Sequence, residues 1–356
     1  MKKIFIIILF LTTQVSALTV DTTDRTAVVN FYNNEFLPAL AVNNAWNGNT
    51  ANCVAGDNSS AYKEATTTAV NYFRAMVGLP AALTHDPVLD AKSLKAALIM
   101  HAENTLNHSP PTSFACYTDD GKEAAGKSNL SFGAAGAAAV ALYIKDSGNG
   151  NQAVGHRRWI LYPRLSKIGT GSTSNFNSLW VIGNTTTRPN GPDWITWPNA
   201  GFIPYQLVSR RWSLSRNTSS SVSFQNAIIS MSSNGQNITL TKLANQNGFG
   251  DNTLAWEPQN LSFSANNPEQ VIDVSVQNIL VGGVSVNYSY QVKVIEPKVE
   301  LIGDVTNDGN INVNDIITLV NIILQSGAST PAADCNSDGN INVNDIICIV
   351  NLILKP

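Results

Sequence analysis

The first half of the chain alternates between helical and extended hydrophobic patterns. Apolar side chains recur at helical spacing after Pro87 and again near residue 140; they are Leu94, Ala97, Leu98, His101 and Ala102, then Ala137, Val140, Ala141 and Ile144. The Gly-punctuated segments 166–172 and 178–184 predict short strands joined by a polar turn. Residues 62–184 are therefore expected to mix helices, each burying one face, with strands.

Beyond residue 204 the pattern changes to the period of a β-strand. Apolar and aromatic side chains alternate with polar ones at Val284, Val286, Tyr288, Tyr290, Val292 and Val294. Segments 221–224, 237–240 and 270–276 predict further strands, so residues 205–299 are expected to form an all-β sandwich. Trp212 and Trp256 are expected to be core and interface residues of this sandwich; the alternative is a sugar-stacking platform. Prolines throughout 187–204 predict a stiff, packed connector.

The ten residues DGNINVNDII occur twice, at 308–317 and at 338–347. As twelve-residue loops, the copies carry oxygen ligands at the spacing of a calcium loop, with Gly309 and Gly339 at the sharp turn. The two sets of ligands are Asp304, Thr306, Asp308, Asn310, Asn312 and Asp315, then Asp334, Asn336, Asp338, Asn340, Asn342 and Asp345. Asn310 and Asn340 would each contribute a backbone carbonyl. Because oxygen-only ligands favour Ca²⁺ over transition metals, we expect two calcium ions.

An apolar run follows each loop and predicts one helix, and the two units must pack together to bury their apolar faces. This duplication, over about 301–354, resembles a type I dockerin. The resemblance implies that residues 300–356 fold with Ca²⁺ and dock through their helices onto a cohesin-like domain on a scaffold or cell surface. Thr306 stands where Asn or Asp is usual, so the first site is expected to bind Ca²⁺ more weakly. The pairs Val313-Asn314 and Val343-Asn344 depart from the usual recognition residues, which leaves partner specificity open. The alternative is a calcium-stabilised C-terminal cap.

Charge and composition exclude other classes of protein. Hydrophobic residues make up 44% of the chain and charged residues 13%, which excludes a disordered acidic chain. The net charge is -3 and no basic run exceeds two residues, so nucleic acid is not an expected partner.

The N-terminus predicts export. Lys2 and Lys3, an apolar run over 4–11 and the small residues before position 18 predict a signal peptide at 1–17, and no segment is long enough for a membrane span. We therefore expect a secreted, extracellular protein, with or without cell-surface association. Of the three pairings that four cysteines allow, one bridge within each region is favoured, Cys53 with Cys116 and Cys335 with Cys348; free thiols are the alternative for the second pair.

Four segments, at 70–80, 83–111, 126–133 and 154–163, resemble the CAP superfamily of cysteine-rich secretory proteins. The resemblance covers about 60–185 and implies an α+β fold: a CAP α-β-α sandwich over 18–186, followed here by a sandwich resembling the Ig-like domain of bacterial CAP proteins. It also implies a cleft of two histidines and two acidic residues. The matching positions are His108, Ser128, Asp146 and His156, where Ser128 replaces the usual Glu.

The Ser128 replacement removes half of the acidic pair that acid–base catalysis would use. We therefore expect a non-catalytic protein whose cleft binds a small apolar or lipid-like ligand or a surface partner. Zn²⁺ in the cleft would need a further ligand and is left open. The alternative is an extracellular hydrolase that uses His108 and His156, since dockerins are most often appended to polysaccharide-degrading enzymes and some CAP proteins are reported as proteases.

Three other features have structural interpretations. His101, on a buried helical face, is expected to be a hydrogen-bonded core residue, and His85 to solvate a turn or cap. Arg157 and Arg158 are expected to pack against the Asp146 end of the preceding helix; the alternative is that they clamp a carboxylate or phosphate.

Overall fold

A computed structural model describes residues 17–264, 269–298, 301–306, 309–325 and 330–354. The chain divides into two compact units, one ending at Glu296 and the other beginning at Pro297. Nearly all of the signal peptide predicted at 1–17 lies outside the described residues, so it stays a prediction. None of the helices in the described ranges is long and apolar enough to cross a membrane.

The first unit has seven α-helices in the described residues. They are α1 (Arg25–Phe31), α2 (Leu37–Ala41), α3 (Ser60–Met76), α4 (Pro87–Glu103), α5 (Asp119–Lys127), α6 (Gly136–Lys145) and α7 (Gly155–Ile160), with a π-helical turn at Tyr32–Phe36. The side chains of Asp24, Ser59, Asp86 and Thr118 accept backbone N–H groups at the starts of α1, α3, α4 and α5. The helix predicted from Pro87 is confirmed as α4, and the second predicted apolar stripe lies on α6.

A four-stranded sheet lies between two layers of helices. Its strands are β1 (Thr84–His85), β2 (Ser128–Phe132), β3 (Lys167–Ser172) and β4 (Phe176–Trp180), in the order β1-β3-β4-β2. Helices α4 and α5 cover one face and α3 and α6 the other. At Gly171 a Cβ atom would lie 2.1 Å from the backbone nitrogen of Leu94, so α4 approaches β3 closely only because glycine stands there. These layers match the predicted α-β-α sandwich.

The β-rich middle region consists of two further sheets. Its strands are β5 (Trp194–Trp197), β6 (Gly201–Pro204), β7 (Trp212–Arg216), β8 (Val222–Ser223), β9 (Ile228–Ser233), β10 (Gln236–Asn237), β11 (Leu240–Lys242), β12 (Thr253–Pro258), β13 (Gln270–Val281) and β14 (Val284–Ile295). One sheet has the order β10-β9-β13-β14-β6, with β8 beside β13, and the other β11-β12-β7-β5. The segment 187–204, predicted as a connector, contributes β5 to one sheet and β6 to the other.

The two middle sheets pack through buried aromatic residues. Trp212 and Trp256 are fully buried, and the indole Nε1 of Trp256 lies 3.1 Å from the sulfur of Met231 on the facing sheet. The predicted core positions of these two tryptophans are confirmed. Side chains at alternate positions of β14 are buried toward its C-terminal end, as the period of two predicts.

The helical and β-rich parts of the first unit share one continuous core. The rings of Phe73 on α3 and Trp197 on β5 meet edge to face at 5.3 Å. Arg157 on α7 is buried and donates to Ser209 and Ser213 of the β-rich part. The domain limits at 186 and 205 stay predictions.

The second unit contains two helices, α8 (Val313–Gln325) and α9 (Val343–Leu354), each preceded by an acidic loop. Leu319 and Ile349 are fully buried where the helices meet, beside Val305 and Ala333. The predicted loop-plus-helix duplication is thus confirmed. The chain forms the disulfides Cys53–Cys116 and Cys335–Cys348, the pairing favoured from the sequence.

Candidate functional site

The cleft of the first unit is a cavity of about 320 Å³ that brings together three of the four residues predicted for it, His108, Ser128 and His156. The remaining lining residues are Gly126, Asn129, Gly150, Asn151, Ala153, Gly155, Trp159, Ile182, Gln246, Gly248 and Phe249. The fourth predicted residue, Asp146, lies behind His156 and does not line the cavity.

Asp146 fixes the ring of His156. It ends α6 in the left-handed conformation, with φ 46° and ψ 41°, and is 1% exposed. Its Oδ1 atom lies 2.9 Å from Nδ1 of His156, and its Oδ2 atom accepts the backbone N–H groups of His156 at 3.0 Å and Arg157 at 3.3 Å. Because both oxygens are occupied, the carboxylate orients His156 and leaves Nε2 as the ring nitrogen available to a ligand.

Tyr143 supports the same imidazole from one face. Its ring stacks on that of His156 with centroids 5.4 Å apart, and its hydroxyl hydrogen-bonds Asn129 and Asn177. Burial raises the pKa of Tyr143 far above its ordinary value, so the hydroxyl stays protonated. The amide of Asn129 donates to the carbonyl of His156 at 3.0 Å. His156 is therefore held on both its ring and its backbone.

His108 supplies the second imidazole of the cleft. Its Nδ1 atom lies 2.8 Å from the carbonyl oxygen of Ala125, at the end of α5. Since a carbonyl only accepts, Nδ1 carries the proton in this contact and Nε2 has a free lone pair when the ring is neutral. The cleft thus contains two imidazoles whose Nδ1 atoms are both occupied by the protein.

Ser128 is the first residue of β2 and is 2% exposed. Its hydroxyl has no hydrogen-bond partner among the described residues. An unsatisfied buried hydroxyl costs about 1–3 kcal/mol, so this oxygen favours a ligand or water that can hydrogen-bond to it. It also means that Ser128 is not hydrogen-bonded to His156.

The residues of the cleft do not fit a stable zinc site. The described parts of the chain contain no group of three or more His, Cys, Asp or Glu side chains placed to hold a metal. His108 and His156 would supply two ligands, while both oxygens of Asp146 are used and Ser128 stands where a carboxylate is expected. Protein zinc sites usually have at least three protein ligands, and this cleft provides two.

The first acidic loop of the second unit is folded around two aspartates. Asp315 is fully buried and accepts the backbone N–H groups of Thr306 and Asn312, each at 2.8 Å. Asp304 accepts the N–H of Gly309 at 2.7 Å, and Gly309 has a φ of 87° that favours glycine. Asp308, predicted as a ligand, lies outside the described residues.

The second loop repeats these contacts. Asp345 accepts from Asn336 at 3.1 Å and from Asn342 at 2.9 Å, and Asp334 accepts from Gly339 at 2.9 Å. Asp338 is exposed and accepts the N–H of Asn340. Oxygen donors of this kind fit calcium, and the assignment of the two predicted sets of residues as its ligands stays a prediction. Gly309 and Gly339, predicted at the sharp turns, both have positive φ; the carbonyl ligands expected from Asn310 and Asn340 stay a prediction.

Residues 67–183 match the family model of the cysteine-rich secretory protein family, and residues 302–354 match that of the dockerin type I domain. The chain contains a CAP domain and a type I dockerin domain. The CAP match includes all four predicted cleft residues, and the dockerin match includes both acidic loops. No curated protein matches this chain. Type I dockerin domains bind Ca²⁺ and pair with cohesins, and both domains are typical of secreted, extracellular proteins.

The CAP cleft contains residues that sequence reasoning missed. Trp159 and Ile182 form apolar parts of its wall, and Gln246, Gly248 and Phe249 come from the loop between β11 and β12 in the β-rich region. The only sequence signal for this loop is an aromatic residue inside the Gly- and Asn-rich segment 245–252. That signal does not indicate which surface the loop contacts.

Two other histidines and two arginines have structural roles. The expected hydrogen bonding of His101 is wrong: its buried Nδ1 has no partner among the described residues, and its ring stacks on Phe176 with centroids 5.3 Å apart. His85, expected to solvate a turn or cap, lies in β1, with Nδ1 2.5 Å from Oδ2 of Asp90 in the first turn of α4. Arg157 packs against the end of α6 as expected, whereas Arg158 instead donates to carbonyls of the β11–β12 loop.

Proposed function

We propose that this chain is a secreted, non-catalytic CAP-domain protein whose two-histidine cleft binds a small ligand and whose dockerin attaches it to a cohesin-bearing scaffold or cell surface. The non-catalytic proposal rests on the state of the two acidic positions of the cleft. Both oxygens of Asp146 already accept hydrogen bonds from His156 or Arg157, and position 128 is a serine. A general acid or base must reach the proton that it transfers. Asp146 does not line the cleft, and no other carboxylate does.

The surface of the dockerin supports docking by apolar contact. Val313, Ile317 and Leu324 lie on one face of α8, and Val343, Ile347 and Leu354 occupy the equivalent positions of α9. Val313 and Val343 are each 60% exposed, and Ile317 and Ile347 are each 55% exposed. These six residues, here called the apolar strips, are the proposed contact surface for the cohesin.

The apolar strips carry the same three residue types, Val, Ile and Leu, at equivalent positions of α8 and α9. This repetition supports binding through either helix. We expect Ile317→Asp or Ile347→Asp alone to reduce affinity for an immobilised type I cohesin domain only slightly. The double variant should lose at least about 100-fold, since two charges would enter a desolvated contact. Ile302→Asp, an exposed apolar position outside the strips, is the control. Full affinity of the double variant would rule out the strips as the docking surface.

An extracellular hydrolase remains the alternative function, and one observation favours it. The contact between His156 and Asp146 resembles the base-orienting half of a nucleophile–base arrangement, and Ser128 is among the residues that line the same cleft. Peptide and polysaccharide substrates incubated with the full chain distinguish the two functions. Turnover that Ser128→Ala and His156→Ala abolish, while folding is unchanged, would overturn the non-catalytic proposal.

A further inference from the structure

The β-rich region contributes directly to the CAP cleft. Gln246, Gly248 and Phe249, on the loop between β11 and β12, form part of the cavity wall facing the helix that carries His156. Residues 243–252, here called the wall loop, lie outside the segment that matches the CAP family model. Any ligand that fills the cavity would therefore touch residues of both parts of the first unit.

Buried contacts hold the wall loop against α7. The guanidinium of Arg158 donates to the carbonyl of Gln246 at 2.7 Å and to that of Asp251 at 2.9 Å, and it lies 5.5 Å from the ring centre of Phe249. The carboxylate of Asp251 forms two contacts of 2.7 Å with Arg188. The loop is thus fixed at Gln246 and at Asp251, on either side of Phe249.

Gly155 creates the space that Phe249 occupies. A Cβ atom at Gly155 would lie 2.7 Å from Cδ1 of Phe249, closer than such atoms approach in proteins. Gly155 directly precedes His156 at the start of α7. The aromatic ring of the wall loop therefore packs against the backbone of the turn that presents His156.

The cavity combines uncharged hydrogen-bonding groups with apolar surfaces. Its lining contains no Lys, Arg, Asp or Glu, so a charged ligand would find no fixed counter-charge there. The hydroxyl of Ser128 is buried without a partner in the described residues, and Asn151 and Gln246 add side-chain amides to the lining. Trp159 and Phe249 add aromatic surface to this polar set.

From these contacts we infer that the cleft binds a neutral sugar ring, with the wall loop supplying an aromatic contact through Phe249 and a polar contact through Gln246. A sugar hydroxyl both donates and accepts, so it can pair with Ser128 and with the free Nε2 atoms of His108 and His156. The C–H face of a pyranose is apolar and suits an aromatic wall. A simple lipid chain would leave most of these polar groups unpaired.

The cavity size agrees with this class of ligand. A volume of about 320 Å³ lies near the lower end of the range of about 300–1,000 Å³ for small-molecule pockets. Such a cavity suits the end of a glycan better than a long acyl chain. This inference rests on the proposed function of the cleft as a ligand site.

Binding of defined neutral disaccharides to the full chain tests the inference. Cellobiose, xylobiose, mannobiose and diacetylchitobiose would be titrated at millimolar concentrations, with decanol as an apolar probe, and affinity measured by calorimetry. At least one disaccharide should bind, and Phe249→Ala should weaken it about tenfold or more. Gln246→Ala should weaken it less. Phe132→Ala, an exposed aromatic residue outside the cleft, is the matched control and should change nothing.

Other results overturn defined parts of the inference. Loss of sugar binding in His156→Ala with full binding in Phe249→Ala would reject the role of the wall loop and leave the cleft as the ligand site. Binding of decanol without binding of any disaccharide would reject the sugar class. Sugar binding unaffected by both variants would reject the inference and the proposed ligand site together. Failure of all probes to bind would reject the sugar class as well.

Discussion

The imidazole of His156 and the carboxylate of Asp146 are 2.9 Å apart, and the carboxylate is 1% exposed. Because Asp146 also accepts the backbone N–H of His156, it fixes the ring and the start of α7 together. A change at Asp146 should therefore disturb both stability and the cleft.

Replacement of Asp146 by Asn tests this contact. An amide has one acceptor oxygen, so at least one of the N–H groups that Asp146 serves would face an NH₂ group. We expect the free energy of unfolding to fall by about 1–3 kcal/mol, measured by urea denaturation. Asp119→Asn is the control, since Asp119 is exposed and accepts from Tyr117 in a local contact. Equal stability of both variants would contradict the structural role of Asp146.

His101 and His85 should contribute to the pH dependence of stability in opposite directions. Burial lowers the pKa of His101, so the stability linked to its neutral ring is present above about pH 6.5 and is lost as pH falls below that value. The hydrogen bond that His85 donates to the Asp90 carboxylate raises the pKa of His85, so the stability linked to its charged ring is present below about pH 6.5 and is lost as pH rises through the raised pKa.

Two variants distinguish these contributions. His101→Phe keeps an aromatic ring against Phe176 and should reduce the loss of stability between about pH 7 and pH 5. His85→Asn should steepen that loss. Denaturation curves of both variants across this range give the comparison. Identical slopes for His101→Phe and the wild-type protein would show that His101 does not titrate differently on unfolding.

Calcium should stabilise the second unit selectively. An ion that binds only the folded state adds about 2.7 kcal/mol per site at 100 times its dissociation constant. In scanning calorimetry of the full chain, we expect a chelator to lower the transition of residues 297–356 and leave that of the first unit unchanged. Asp315→Asn and Asp345→Asn should each reduce the calcium-dependent shift, and Asp273→Asn should not. A chelator-insensitive transition would contradict calcium binding.

Arg157 should stabilise the first unit far more than an exposed arginine does. It is buried, and it donates to backbone carbonyls of α6 and to Ser209 and Ser213. Burial lowers its pKa to about 10, so it stays charged at neutral pH. We expect Arg157→Met to reduce stability by about 3 kcal/mol or more, because several buried acceptors lose their donor. Arg210→Met, at an exposed pair with Glu257, should cost about 0–1 kcal/mol.

Much of the fold could be predicted from local patterns. The apolar spacing after Pro87 predicts α4, and the alternation from Val284 predicts β14, because burial of one face imposes a period on each element. The duplicated loop predicts both helices of the dockerin and their packing. The pattern did not predict that 187–204 adds a strand to each middle sheet, since prolines there suggested a connector.

By itself, the sequence determined the two acidic loops and their helices, because calcium ligands lie close together along the chain at fixed spacing. It also indicated His108, Ser128, Asp146 and His156 through their resemblance to the CAP family. Only the tertiary structure decided that Asp146 lies behind His156 and that Phe249 forms part of the cleft wall. Both depend on packing between segments far apart in the chain. The spacing of apolar residues along one segment does not indicate which distant surface that segment will contact.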